Sequence, residues 1–294
     1  MIPPPLQVST MTRKIIDMRC RPAFLHDFFG ATPGNPAHDA ARWLSRRVGT
    51  RGSDRHFERS LTQEGFLAEV RDAGLTKAVV VGRHTPAQHL PNDTIHKIVH
   101  GYGELIGIGG VDPALQGKDA ALAEFERAIK TLKLGGIDLE PGFGEPARYP
   151  DDPVYWPIYE LAVQLKVPVF LMSGPTTPDP RYNDPSPVAK VARAFPQLPI
   201  VIYHGFWPRV HEAVGLAFKY ENVHLVPDMY LFQPGTEVYV QAANTFLREQ
   251  FLFGSSYTFR PIGQSIEDFL HLGFKDEVLD DLFYGNAARL FGLK

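Results

Sequence analysis

The sequence is poor in cysteine and in long apolar stretches. Its 294 residues include one cysteine, Cys20, which excludes an internal disulfide bond. No apolar run reaches the length of a membrane span, and the first residues lack the apolar core of a secretory signal. These absences lead us to expect a cytoplasmic protein that does not associate with a membrane.

The sequence also lacks an excess of either charge. It has 30 Lys and Arg residues and 33 Asp and Glu residues, so its formal net charge is -3. A protein that binds nucleic acid needs a basic face, and no cluster of Lys or Arg stands out here. The composition therefore argues against a nucleic-acid partner, and it leaves the oligomeric state open, a homo-oligomer included.

Two segments lack the periodicity of regular structure. Residues 1–12 contain three consecutive prolines, and we interpret them as a flexible leader before a single domain over residues 13–294. Residues 24–61 are rich in Pro, Gly, Asp and Arg, with little apolar periodicity. We expect this second segment to be an insertion that partly covers a pocket.

Eight short apolar runs recur along the chain, and segments of helical length, such as Asp119–Leu132, separate them. The runs are Ile15–Pro22, Lys77–Arg83, Leu105–Pro113, Gly135–Gly142, Pro168–Gly174, Pro199–Gly205, Asn222–Tyr230 and Phe251–Phe259. Continuous β-branched runs that alternate with helices are typical of a parallel sheet covered by helices. We therefore predict an α/β fold, a (β/α)8 TIM barrel with an insertion after the first strand. An open doubly wound sheet is the alternative.

The first apolar run carries charged side chains at alternating positions. Asp17, Arg19 and Arg21 are spaced two residues apart, so a regular strand points them to one side and Cys20 to the other. In a (β/α)8 barrel, catalytic side chains lie at the carboxyl ends of the strands. Two inward-facing arginines therefore predict an anion-binding pocket at the mouth of the barrel.

The other predicted strands also end in polar residues. These are Arg83, Asp112, Glu140, Ser173, Tyr203, His204, Asp228, Tyr230, Ser255, Ser256 and Tyr257. We assign His204 as the catalytic acid or base, Asp228 as its orienting carboxylate or a second base, and Glu140 as an assisting carboxylate. We expect a further set of residues to contact the substrate, namely Arg19, Arg21, Ser173, Tyr230, Ser256 and Tyr257.

Structural explanations stay open for these residues. The two arginines could pair with Glu140, Asp228 or Asp17 in a purely structural ion network. In an intermediate arrangement, one arginine would be paired while the other meets the substrate. His204 could be a buried histidine bonded to a backbone carbonyl.

Four motifs connect the chain to a known family. The run Ile16–Arg21 lines up with an opening I-D-x-H-x-H motif, and His204–Pro208 lines up with an H-G-G-like element after the sixth strand. Gly254–Thr258 matches a G-S-D-x-P element, and Gly285–Phe291 matches a closing G-N-A-x-R-L-F helix. With these motifs the chain resembles the amidohydrolase superfamily over Lys14–Leu293. The resemblance is to the amidohydrolase-related branch, which holds aminocarboxymuconate-semialdehyde decarboxylase, γ-resorcylate decarboxylase and related lactone hydrolases.

The resemblance implies a hydrolase or carboxy-lyase, but the metal ligands of the family are replaced. Two histidines of the first strand, one of the fifth and an aspartate of the eighth hold or surround a divalent cation in the family. The matching residues here are Arg19, Arg21, Ser173 and Ser256. A guanidinium stays protonated and offers only donors, so it cannot ligate a cation and repels one. We therefore predict no metal and no other cofactor. A zinc or manganese site built from His204, Asp228 and Glu140 remains the alternative.

The sequence thus predicts a metal-independent enzyme that acts on a small cyclic or unsaturated carboxylate. Arg19 and Arg21 would hold the carboxylate or polarise a carbonyl, while His204 and Asp228 transfer protons. The reaction is either hydrolysis of a lactone-like bond or decarboxylation. A non-catalytic carboxylate-binding protein is the alternative from another functional class.

Overall fold

The computed structural model describes residues 13–25 and 34–293. Within these ranges, seven parallel strands form a nearly closed barrel surrounded by helices, which confirms the predicted fold class. In sheet order the strands are β1 (Ile16–Cys20), β2 (Lys77–Val81), β5 (Leu105–Gly110), β6 (Ile137–Leu139), β7 (Val169–Met172), β8 (Ile200–Tyr203) and β9 (Val223–Val226). A small antiparallel hairpin of β3 (Arg83–Thr85) and β4 (Gln88–Leu90) follows β2.

The eighth predicted strand lies between β9 and β1 but pairs with each of them only in part. Leu252 N–H donates to Leu225 O of β9 (3.0 Å), and Met18 N–H of β1 donates to Phe253 O (3.0 Å). Beyond Phe253 the backbone becomes irregular, since Ser256 adopts a left-handed φ of 60°. The segment therefore closes the barrel through isolated bridges rather than through a continuous ladder.

The helices cover the outside of the barrel and follow the predicted alternation with strands. They are α1 (Pro36–Arg47), α2 (Arg55–Arg59), α3 (Gln63–Asp72), α4 (Asn92–Val99), α5 (Pro113–Gln116), α6 (Lys118–Lys130), α7 (Trp156–Leu165), α8 (Ser186–Ala194), α9 (Val210–Lys219), α10 (Glu237–Ala243), α11 (Ile262–Leu270), α12 (Asp276–Asp280) and α13 (Asn286–Leu290). Shorter helical turns cover Pro141–Phe143, Pro153–Tyr155, Pro180–Tyr182, His204–Phe206, Asp228–Phe232 and Asp281–Gly285. None of the helices in the described part of the chain has the length and apolar character needed to cross a bilayer.

Two apolar cores follow from the alternation of side chains along the strands. An outer core lies between strands and helices and includes Ile137, Leu139 and Phe125 of α6. An inner core fills the barrel and includes Ile16, Phe170 and other strand residues. Because Ile137 and Leu139 face outward, the intervening Asp138 and the following Glu140 face the barrel interior. This alternation is what delivers polar side chains to the mouth.

The predicted insertion contributes α1 and α2, and the end of α1 with the residues just after it lies against the barrel mouth. Val48, just after α1, packs against Met229 and Tyr230 of the turn that follows β9. Ser45 Oγ and Thr50 Oγ1 both donate to the backbone oxygen of Phe259 (2.8 and 2.9 Å). Residues 26–33 of the insertion and the predicted leader, residues 1–12, lie outside the described residues. The division into leader, domain and insertion stays a prediction.

Candidate active site

Strand β1 directs its arginines inward because its register against β2 is irregular. Asp17 pairs with Ala78 and Cys20 pairs with Val80, so β1 has one extra residue between these two positions. Such a β-bulge re-aims the side chains next to it. Arg19 contacts residues of the inner core, whereas Cys20 packs in the outer core, as predicted.

Asp17 does not join the arginines, in contrast to the regular alternation predicted for this strand. Its Oδ1 accepts hydrogen bonds from the backbone N–H of Arg19 (3.0 Å) and of Ser255 (2.9 Å). The bulge is the physical reason, because one extra residue breaks the period of two. The Asp17 carboxyl is fully buried, and burial raises its pKa to about 6.

Arg21 belongs to a buried group of four charged side chains that we call the ion network: Arg21, Arg83, Asp138 and Glu140. Its Nη2 lies 2.6 Å from Glu140 Oε1 and 3.1 Å from Asp138 Oδ2. Its Nε and Nη2 also donate to two backbone carbonyls at the end of β2. Arg83 Nη2 lies 2.8 Å from Glu140 Oε2. The guanidinium of Arg21 is thus bonded to protein oxygens on several sides.

The two carboxyl groups of the ion network have opposite shifts. Burial alone would raise the pKa of Glu140, but Arg83 and Arg21 outweigh burial and lower it to about 2. Burial and the neighbouring Glu140 carboxylate raise the pKa of Asp138. Glu140 is therefore the ionised partner of two arginines. This pairing is the structural alternative that the sequence left open, and it makes Glu140 a poor candidate for proton transfer.

Arg19 is as buried as Arg21 but has no carboxylate within ion-pair distance among the described residues. Its side chain contacts Met172 Sδ (Nη2 to Sδ 3.8 Å) and lies over the ring of Tyr203 (Cζ to centroid 4.9 Å). Its Nε and Nη1 have no hydrogen-bond partner in the described part of the chain. Burial and repulsion from Arg21 lower the pKa of Arg19 to about 10, so the group stays cationic at neutral pH. Burying such a charge is costly, and a bound anion would remove the cost.

His204 and Asp228 form a buried pair at the ends of β8 and β9. His204 Nδ1 lies 2.8 Å from Asp228 Oδ1, and the His204 N–H donates to Asp228 Oδ2 (3.2 Å). A carboxylate only accepts, so Nδ1 carries the proton in this pair and Nε2 is left as the reactive nitrogen. Tyr230 lies edge-on to the imidazole, with ring centroids 5.1 Å apart. The contact predicted between His204 and Asp228 is confirmed.

The remaining predicted residues divide between the pocket and its surroundings. Ser173 Oγ donates to Tyr203 O (2.6 Å) and accepts from Phe206 N–H (2.9 Å), so its hydroxyl is used inside the protein. Ser256 is buried, and its hydroxyl has no hydrogen-bond partner among residues 13–25 and 34–293. The role of these two serines in binding substrate stays a prediction.

Tyr257 does not face the pocket. Its ring stacks on Phe66 of α3 (centroids 5.6 Å apart), and its hydroxyl donates to His56 O (2.9 Å). It belongs to the outer core together with Cys20, to which it is bridged. The predicted substrate contact of Tyr257 is therefore wrong, because the irregular backbone after Phe253 places Tyr257 on the helical side of the barrel wall.

Sequence reasoning missed Asp138 as a member of the site. The signal was present, since Asp138 and Glu140 are two residues apart in one short strand and share a face. Tyr203, a strand end that could donate to a substrate oxygen or merely pack, lies with its ring beneath Arg19, and its buried hydroxyl has no hydrogen-bond partner in the described ranges.

A cavity of about 270 Å³ lies at the mouth, between α1 and the turn after β9. Trp207 and Tyr230 line it as a stacked pair, with rings nearly parallel and centroids 5.5 Å apart. Trp43 and Val48 of the insertion form the opposite wall, and Trp43 is half exposed. We call this space the outer cavity. Its stacked aromatic wall suits a planar ring, and Arg47 and Gln233 add polar atoms to the lining.

Comparisons with known proteins agree with this architecture. Residues 52–293 match the amidohydrolase family described as Amidohydro_2. The structure is similar to that of an uncharacterized TIM-barrel protein from Bordetella bronchiseptica, with 30% sequence identity, a TM-score of 0.84, and coverage of 95% of this chain and 98% of the other. No curated protein matches the chain.

Two decarboxylases are more distant structural relatives. A 2,6-dihydroxybenzoate decarboxylase, complexed with 2,6-dihydroxybenzoate, has 17% identity and a TM-score of 0.65, and 96% of this chain and 100% of that one are covered. A dihydroxybenzoic acid decarboxylase from Polaromonas sp. JS666, with bound manganese and 2-nitroresorcinol, has 17% identity and a TM-score of 0.64, covering 95% and 97%. At these identities the likeness shows the fold.

The manganese of the second decarboxylase has no matching donor set in the described part of this chain. No three His, Cys, Asp or Glu side chains within residues 13–25 and 34–293 are grouped so that they could hold a metal ion. His204 and Asp228 form a pair only, and Glu140 is bonded to arginines instead. The described residues therefore do not fit a divalent cation.

Proposed function

Because the chain belongs to the amidohydrolase family, we propose that it is a metal-independent hydrolase that opens a lactone-like bond in a small cyclic carboxylate. The observation that carries this proposal is the buried guanidinium of Arg19, which lies inside the barrel mouth without a carboxylate partner among the described residues. A substrate anion, or the oxyanion formed from an acyl group, would supply the missing partner.

The pair of His204 and Asp228 supplies the proton transfers. His204 Nε2 takes a proton from water while the water oxygen bonds to the acyl carbon, and the carbonyl oxygen becomes an oxyanion that Arg19 stabilises. The bond from the acyl carbon to the ring oxygen then breaks, and His204 returns the proton to that leaving oxygen. Asp228 holds the ring orientation and stabilises the imidazolium. Water is consumed and a ring-opened acid is released, so atoms and charge balance.

The other residues shape the site around this chemistry. Arg21 and Glu140 act within the ion network, which fixes the wall next to Arg19 and adds to the positive field there. The hydroxyls of Tyr203 and Ser256, which have no hydrogen-bond partner in the part of the chain that the structure describes, would bond to substrate oxygens. The outer cavity would take the part of the ring that does not react.

Decarboxylation is the second candidate, because a protonated His204 could deliver its proton to carbon. Decarboxylation is disfavoured when Arg19 binds the carboxylate that must leave as carbon dioxide. A fixed cation stabilises that carboxylate in the ground state, yet the charge is lost as neutral carbon dioxide forms, so the barrier rises. The same cation lowers the barrier when negative charge develops on an acyl oxygen.

Product analysis tests the proposal. Tag-free protein, purified without chelator, is incubated with a panel of carboxylated lactones and unsaturated carboxylic acids. We expect a ring-opened acid without release of carbon dioxide, turnover unchanged by EDTA, and no stoichiometric metal by elemental analysis. The variant His204→Asn should bind substrate but lose turnover by about a hundredfold or more.

Several outcomes would contradict the proposal. Carbon dioxide as product would identify a decarboxylase, and activity restored to EDTA-treated protein by zinc or manganese would show that a metal takes part. Tight binding without any turnover would favour the carboxylate-binding protein. Full activity of His204→Asn would remove this residue from the mechanism.

A further inference from the structure

The turn that carries His204 has an unusual backbone. Three consecutive residues, His204, Gly205 and Phe206, have φ values of 64°, 58° and 64°. The left-handed region is unfavourable for residues with a Cβ atom, so a turn with two such residues needs support from its surroundings. Asp228, which bonds to His204, also has a positive φ of 45°.

Side chains from four other parts of the fold bond to the backbone of this turn. We call them the brace: Ser173, Asn183, Asp228 and Tyr239. Ser173 Oγ bridges the carbonyl that precedes the turn and the N–H of its third residue (2.6 and 2.9 Å). Asn183 Nδ2 donates to the carbonyl of Trp207 (2.9 Å). Asp228 Oδ2 accepts from the first N–H of the turn (3.2 Å).

Tyr239 completes the brace from α10. Its ring is fully buried, and its hydroxyl donates to Gly205 O at the centre of the turn. A Cβ atom on Gly205 would lie 2.9 Å from this hydroxyl, so the close approach requires glycine. Burial raises the pKa of Tyr239, which keeps the hydroxyl protonated as a donor. Neither a strand end nor a motif marks this residue in the sequence.

We infer that Tyr239 and Ser173 are positioning residues that hold the left-handed turn and thereby fix the imidazole of His204 against Asp228. In the left-handed conformation the turn presents its carbonyls and N–H groups to these side chains. Without them, a buried carbonyl loses its donor and the strained backbone can relax, which moves His204 relative to Asp228. The catalytic consequence rests on the proposed function, whereas the geometric consequence does not.

The chain offers a matched control for a test of Tyr239. Tyr159 of α7 is, like Tyr239, a fully buried tyrosine of the outer core whose hydroxyl donates to a backbone carbonyl. Its acceptor, Pro150 O at 2.7 Å, lies outside the turn that carries His204. Tyr239→Phe and Tyr159→Phe each remove one oxygen and one buried hydrogen bond. A purely structural loss should therefore affect the two variants alike.

The decisive measurement is NMR of the imidazole of His204, assigned by the signals that disappear in His204→Asn. We expect Tyr239→Phe to shift the Nδ1–H signal of His204, and to lower kcat at least tenfold with KM changed less than threefold. Tyr159→Phe should leave the His204 signals in place and change kcat less than twofold. Ser173→Ala should reproduce the NMR shift, and it serves if Tyr239→Phe does not fold.

Identical His204 spectra in wild type, Tyr239→Phe and Ser173→Ala would overturn the inference. Equal effects of Tyr239→Phe and Tyr159→Phe on His204 would do so as well. If the wild type hydrolyses no lactone, the proposed function fails, but the spectra still decide whether these residues position His204.

Discussion

Two arginines at the carboxyl end of β1, Arg19 within it and Arg21 directly after it, show how differently a buried charge can be used. Arg21 has two carboxylates and two backbone carbonyls around it, whereas Arg19, two residues away and just as buried, has a methionine sulfur and the face of a tyrosine ring. The protein compensates the charge of Arg21 itself. No carboxylate among the described residues compensates the charge of Arg19, which leaves that role to a bound anion. Burial and residue type are the same, so only the partners separate a structural arginine from a candidate binding residue.

We expect the strongest loss of stability when Arg21, the arginine with carboxylate partners, is replaced. Arg21→Met leaves Asp138 and Glu140 buried without their shared partner, and breaking a buried pair in this way costs about 3–5 kcal/mol of unfolding free energy. Urea denaturation measures this loss of unfolding free energy. The control Arg71→Met breaks a surface pair with Glu104 and should cost less than about 1 kcal/mol. A loss for Arg21→Met no larger than that of the control would show that the ion network is not structural.

Removing the uncompensated charge should have the opposite signature. Arg19→Met takes away a buried charge that has no carboxylate partner among the described residues, so stability is expected to stay the same or rise, while kcat/KM falls about a hundredfold to a thousandfold. Arg19→Lys keeps the charge but loses the planar fork, and we expect most of the activity to be lost as well. Steady-state kinetics with the substrate found by product analysis, together with thermal melts, measures both effects.

Either of two results would contradict the expected role of Arg19 as a substrate-binding residue. If Arg19→Met unfolds the protein, Arg19 has a structural partner, and if it leaves kcat/KM unchanged, Arg19 does not meet the substrate. Either result would make the two arginines alike.

The sequence predicted the barrel well because its evidence is repeated along the chain. Each apolar run and each helix-length segment is one independent sign of the same fold, and an error in one, such as the irregular segment after Phe253, does not change the class. The alternation of side chains along a strand places Asp138 and Glu140 on one face. Asp138 was nevertheless missed, because it does not lie at a strand end. The pair of His204 and Asp228 was predicted from two neighbouring strand ends.

Partners across the barrel were beyond the reach of sequence patterns. Nothing in the sequence says that Arg21 meets Asp138 and Glu140 while Arg19 meets Met172 and Tyr203, because that choice depends on the bulge in β1 and on how far each side chain reaches. The outward position of Tyr257 and the role of Tyr239 also depend on tertiary contacts. The motifs predict where the site lies, but they do not predict which of its charged side chains form ion pairs.

Asp17 is a further charged residue of β1, and we expect its replacement to change stability less than the replacement of Arg21. Its carboxyl accepts hydrogen bonds from the backbone N–H groups of Arg19 and Ser255, and burial raises its pKa to about 6 from an ordinary value of 3.8. A carboxyl that binds its proton more tightly when folded adds stability at low pH, fully below about pH 4. This stability is lost as the pH rises through 6.

The shift corresponds to about 2–3 kcal/mol between pH 4 and pH 7. Asp17→Asn mimics the neutral carboxyl, so we expect the variant to be more stable than wild type by about that amount at pH 7 and nearly equal to it at pH 4. Urea denaturation at both pH values measures the difference, with the exposed Asp119→Asn as a control that should show almost none. If Asp17→Asn is instead less stable at pH 7 than at pH 4, relative to wild type, then the ionised carboxylate is stabilised. Asp17 would then resemble Glu140, as a carboxylate compensated by its surroundings, and Arg19 would be the one charge of β1 that the described residues leave uncompensated.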